Sequence, residues 1–116
     1  MELSILSQND QHVHVKATGE IRQRKLPGDK EPLGELLGED AYTNKVLLDL
    51  SEVKYVDSSG LGWLVVCQKR FNEGNGGLVL HSLPQLVTNV LMIVKLDQVF
   101  TIADDVDAAV AAIDAT

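Results

Sequence analysis

The spacing of apolar positions changes several times along the chain, and each change marks an element. Residues 3–6 and 12–17 read as short strands separated by Gln8, Asn9 and Asp10, a turn-forming cluster that predicts a hairpin. In the second strand Val13 and Val15 fall on one face and His12, His14 and Lys16 on the other, the period of two expected when one face is dry. Gly19 and Glu20 close that strand, and residues 21–30 turn basic, then Pro- and Gly-containing, without a period. Pro32 suits the first turn of a helix, with Leu33, Leu36 and Leu37 as its buried stripe. Gly34 and Gly38 each cost that helix about 1 kcal/mol relative to Ala, so it must be short and lean on packing.

Residues 45–50 are apolar on consecutive positions, which predicts a central strand covered on both sides. This strand leads to Val56-Asp57-Ser58-Ser59-Gly60-Leu61-Gly62, where an apolar segment gives way to an acidic, hydroxyl-rich turn. From 59 to 73 the pattern is helical, with Leu61, Leu64, Val65 and Phe71 facing inward and Gln68, Lys69, Arg70 and Asn72 wet. Gly74-Asn75-Gly76-Gly77 ends it. A short buried strand follows at 78–80. Pro84 then starts a helix with Leu86, Val87, Val90, Leu91 and Val94 inside. Residues 99–102 form the last strand, and Asp104 or Asp105 caps a final helix with Val106, Val110 and Ile113 inward. The predicted order is β-β-α-β-α-β-α-β-α: one α/β domain over 1–116, a mixed sheet opening with an antiparallel hairpin and continuing in parallel strands with right-handed crossovers.

Composition narrows the function. With 116 residues and 45% hydrophobic content but only 4% aromatics, the chain builds one core, mainly of aliphatic side chains. Seventeen acidic against ten basic residues give a net charge of −7, which disfavours nucleic acid and direct contact with anionic membranes. The single Cys67 excludes an internal disulfide, and neither a leader-like start nor an apolar run of membrane-spanning length is visible, so a soluble, cytoplasmic protein is expected.

Candidate chemistry concentrates at the central turn. A helix start leaves backbone N–H groups unpaired and carries partial positive charge, so a serine there can act as a cap, or can present its hydroxyl where added phosphate is tolerated. Asp57 is expected to fix the loop by accepting nearby N–H groups, and Gly60 and Gly62 to let another protein approach the backbone. Trp63 and Val66 lie off the main apolar stripe. Trp63 serves either as a contact or as packing beneath the neighbouring loop. His12 and His14 share a strand face, but two ligands do not complete a metal site, so they read as exposed strand histidines. Cys67 reads as inert core and the Asp104-Asp105-Asp107 cluster as capping. Asp49 ends a strand as a receiver aspartate would, yet the further acidic cluster and the cation that such chemistry needs are not suitably placed. No nucleophile, His and acid set can be proposed for a hydrolase.

The run Val46-Leu47-Leu48-Asp49-Leu50 followed by Val56-Asp57-Ser58-Ser59-Gly60-Leu61-Gly62 resembles the signature of anti-sigma factor antagonists, prototypes of the STAS domain. Thr18-Gly19-Glu20 and residues 95–102 before an Ala-rich terminal helix extend the resemblance over almost the whole chain. It implies a STAS-like fold and a regulator without an active site or cofactor. The implied partner is an anti-sigma factor that is also a serine kinase and phosphorylates the serine after the Asp, by position Ser58. A serine phosphatase would reset the switch. The partner contact is expected on Asp57, Ser58, Ser59, Gly60, Gly62, Trp63 and Val66, and a monomer or weak dimer is expected. The same resemblance also admits a structural subunit of a signalling assembly or of a transport ATPase complex, without turnover at Ser58. Two departures stand out: the basic segment after Glu20, and Lys95 where the family often carries Gly.

Overall fold

The computed structural model describes residues 1–22 and 31–115. Most of the aperiodic stretch after Glu20 therefore lies outside the described residues. Strands β1 (Glu2–Gln8) and β2 (Val13–Ile21) form the expected antiparallel hairpin. Parallel strands β3 (Lys45–Val56), β4 (Gly77–His81) and β5 (Thr101–Ala103) follow, and the sheet order is β1-β2-β3-β4-β5. Helices α1 (Pro32–Leu37), α2 (Ser58–Glu73) and α3 (Gln85–Ile93) connect the parallel strands, and α4 (Val106–Asp114) ends the chain.

Alternation along the strands divides the core in two. Val13, Val15 and Ala17 of β2, Val46, Leu48 and Leu50 of β3 and Leu78 and Leu80 of β4 point to one face, where Leu33, Leu64, Phe71, Val87 and Leu91 pack on them. The other face offers Leu47 and Val79, which Ala109 and Ile113 of α4 cover. Beyond the reach of that small apolar patch, the same face carries His14, Asp49 and His81.

Several boundaries differ from the sequence reading. β3 continues to Val56 because residues 52–56 pair with the end of β2, with Val53 and Val56 turned inward. β5 lies two residues later than expected, and Phe100 is instead a core residue just before it. In α4 the inward positions are Ala109 and Ile113, while Val106 is exposed. Gln68, expected on the wet side of α2, is buried and donates to Asn72 at 3.1 Å. Lys95 adopts φ 60°, with Leu96 N–H bonded to Leu91 O and Lys95 N–H to Met92 O. These are the two bonds of a Schellman ending, so the turn that glycine favours survives with lysine.

The connection between α1, the turn after it and α2 runs through Glu31, a residue only 3% exposed. It caps α1, accepting Leu33 N–H on Oε1 at 2.6 Å and Gly34 N–H on Oε2 at 2.7 Å. Trp63 Nε1–H donates to Oε1 at 3.0 Å, the Tyr42 hydroxyl donates to Oε2, and the Cys67 thiol lies 3.6 Å from Oε1. Burial, and then the bond to Glu31, pushes the Tyr42 pKa up to about 12. Removing the carboxyl group strands several buried donors at once, each costing about 1–3 kcal/mol. Glu31→Ala is therefore expected to lower the unfolding free energy by about 3 kcal/mol, read from urea titration of Trp63 fluorescence. A loss below about 1 kcal/mol would show that these donors find other partners.

Candidate functional site

At the end of β3 the chain turns into α2 through Asp57, whose backbone is extended (φ −97°, ψ −179°) and whose Oδ1 accepts Gly60 N–H at 2.8 Å. Asp57, rather than the adjacent serine, is thus the cap. The same oxygen accepts the Ser59 hydroxyl at 2.6 Å, and Oδ2 lies 3.8 Å from Arg22 Nε. The Ser59 hydroxyl bond first, and the Gly60 N–H second, hold the Asp57 carboxyl below the ordinary aspartate value. Arg22 is itself steered by Glu20 at 3.1 Å and by the Tyr55 ring at 5.4 Å.

Ser58 occupies the first helical position and is exposed. Among the described residues its hydroxyl has no hydrogen-bond partner. The helix N–H of Gly60 is already taken by Asp57, so it is not available to a group attached to the Ser58 oxygen.

The two glycines have different roles. A Cβ on Gly60 would lie 2.8 Å from the Ile21 carbonyl carbon, inside contact distance of backbone that cannot swing away, and Asp57 N–H bonds the same Ile21 carbonyl at 3.4 Å. Gly60 thus lets the turn rest on the end of β2. A Cβ on Gly62 would meet nothing within 4 Å, and Gly62 is exposed. Ser58, Gly62 and Val66, spaced four apart, share an open face of α2, with Val66 37% exposed and Ser59 beside it.

One expected contact residue is corrected by burial. Trp63 is 1% exposed and its indole N–H is committed to Glu31, so it anchors α2 from beneath and offers no surface to a partner. Its i, i+4 relation to Cys67, which reads as core in the sequence, was the available signal; the pairing with Glu31, thirty-two residues away, had none. Cys67 is buried, and burial followed by Glu31 drives its thiol far up, out of the reactive range.

The family model described as Mlab, STAS domain matches residues 4–103. The chain belongs to the STAS domain family. It is similar to the anti-sigma-B factor antagonists of Listeria monocytogenes serovar 1/2a and Listeria innocua serovar 6a, at 28% identity over 102 residues covering 88% of this chain and 88% of each relative. In fold it is similar to the NMR structure of TM1081, with TM-score 0.67 and 21% identity over 95% of this chain and 87% of that one. The anti-sigma factor antagonist SpoIIAA in its unphosphorylated form has the same fold, with TM-score 0.60 and 12% identity over 98% and 96% of the two chains. Among the described residues, no helix of this STAS domain is long and apolar enough to cross a membrane.

The glycine pair gives a direct check on the site. Gly60→Ala is expected to cost about 2 kcal/mol through the clash with Ile21. Gly62→Ala should leave stability unchanged or raise it by up to about 1 kcal/mol, since alanine favours the helix. Urea midpoints measure both, and equal losses would contradict the assignment.

Proposed function

We propose that this STAS domain is an anti-sigma factor antagonist: a binding module that docks on an anti-sigma factor with serine kinase activity and is released when that partner phosphorylates Ser58. The observation that carries the proposal is the exposed Ser58 hydroxyl at the first position of α2, next to the open Gly62. The similarity to the two Listeria antagonists supports the same reading.

The physical basis of the switch is charge and bulk at a docking face. Phosphate adds about 1.5–2 negative charges and three acceptor oxygens. It would arrive beside the Asp57 carboxylate, with the Gly60 N–H already occupied, so like-charge repulsion and bulk fall on whatever covers the patch. Arg22, held near Asp57, is a cation able to take up part of the new charge. The domain can therefore keep its fold while the docked partner loses complementarity. The docking face comprises Ser58, Ser59, Gly62 and Val66, with Asp57 and Gly60 shaping its edge. A serine phosphatase returns the chain to its binding form.

Incubation of the purified chain with ATP and the candidate kinase, followed by mass spectrometric mapping, tests the proposal. Phosphate is expected on Ser58; phosphate on an aspartate or on Ser59 would contradict it. Ser58→Ala should bind the kinase and remain unmodified, whereas Ser58→Asp should bind at least about tenfold more weakly, a difference of about 1.4 kcal/mol. A partner that binds without ever phosphorylating the chain would indicate a structural STAS subunit instead.

A further inference from the structure

On the sheet face opposite α2, three adjacent strands bring together residues that are distant in sequence. His14 lies on β2, Asp49 on β3 and His81 on β4, with Asp49 paired in register to His81 and to the neighbour-but-one of His14, Lys16. The two imidazoles reach toward each other over Asp49. His14 Nε2 and His81 Nε2 are 3.0 Å apart, and one donor atom from each of the three side chains lies within 4.8 Å of the others. His81 is the third ligand that the His12 and His14 pair lacks in the sequence reading. His12 does not belong to this group.

We propose that His14, Asp49 and His81 form a binding site for a first-row divalent metal ion of the Zn²⁺ class. Two imidazole nitrogens bound to one such ion at about 2.0–2.1 Å stand about 2.9–3.3 Å apart, depending on whether the angle between them is square or tetrahedral. The 3.0 Å separation falls within that span. Two nitrogens and a carboxylate suit Zn²⁺ better than Ca²⁺ or Mg²⁺, which prefer all-oxygen shells.

The surroundings orient the donors. His81 Nδ1 is 2.9 Å from Ser82 Oγ, and a proton held there leaves the Nε2 lone pair facing the site. Asp49 Oδ1 accepts Ser51 N–H at 2.8 Å, which fixes the carboxylate while leaving it lone pairs for a metal. With the His81 proton on Nδ1, the metal-free 3.0 Å contact is His14 Nε2–H donating to His81 Nε2, and metal binding would move that proton to His14 Nδ1, a tautomer change with no net proton release. Burial, the largest influence on each, pulls both histidines below the ordinary value, so neutral imidazoles are the resting form at neutral pH. Burial pushes the Asp49 carboxyl upward, but the Ser51 hydrogen bonds and, in the acid range where the carboxyl titrates and His81 is protonated, the charges of His81 and Lys16 together hold it below the ordinary value. His14 and Asp49 are half-buried, which gives an ion access from solvent, while His81 forms the floor at 1% exposure. Binding would tie β2, β3 and β4 together from the side that α4 covers only in part.

The test uses the tag-free full chain, stripped with a chelator and dialysed, titrated with ZnCl₂ by calorimetry and with CoCl₂ by visible d–d absorption. One equivalent is expected to bind, with a rise in melting temperature. His14→Gln and Asp49→Asn, both at half-buried positions and checked for fold by circular dichroism, should each weaken binding by about tenfold or more. His12→Gln should bind as the unaltered chain does. Absence of binding to the unaltered chain, or retention of its affinity in both His14→Gln and Asp49→Asn, would overturn the proposal.

Discussion

A single buried carboxyl group joins the parts of this domain that lie on the side of the candidate site. Glu31 accepts N–H groups from the first turn of α1, the Tyr42 hydroxyl and the Trp63 indole, so α1, the turn after it and α2 share one acceptor. A buried polar group without partners is costly, and a fully engaged one discriminates strongly among packings. Helix α2 is therefore set by directional bonds as well as by the nondirectional packing of Leu64 and Phe71 on the sheet. Displacing it would strand several donors together.

The turn that begins α2 is fixed from the opposite direction. Gly60 permits its backbone to sit against the Ile21 carbonyl, and Asp57 closes the helix end by accepting Gly60 N–H and the Ser59 hydroxyl. These constraints take up part of the polar capacity that a free helix end offers. What remains exposed is Ser58, Ser59, Gly62 and Val66. A rigid support with a chemically simple outer surface suits the proposed docking face, since charge added there would act on a partner more than on the core.

Local patterning carried most of the fold in the sequence. Val13 and Val15 against His12 and His14 gave the face of β2, and the Asp57 to Gly62 run gave the strand-to-helix turn and the family. What was not legible depended on partners distant along the chain. Residues 52–56 look like a polar gap until the end of β2 is available to pair with them. Trp63 stayed open between contact and packing because its acceptor, Glu31, sits in a different helix cap. His81, just after the 78–80 run, carried no signal of its own, since its proximity to His14 depends on sheet order. The two-residue displacement of β5 has a similar origin: Phe100 is apolar enough for a strand but is used to close the core before it.

In the proposed switch, phosphate on Ser58 alters a docking face without altering the domain. Comparing the ¹H–¹⁵N spectrum of the unmodified chain with that of the chain phosphorylated on Ser58 tests it most directly. Shifts are expected to be confined to the turn from Asp57 to Gly62 and to Arg22, with the core amides of β3 and β4 unmoved. Shifts spreading through Leu48, Leu50 and Leu80 would contradict it, because the modification would then be read through the fold instead of at its surface.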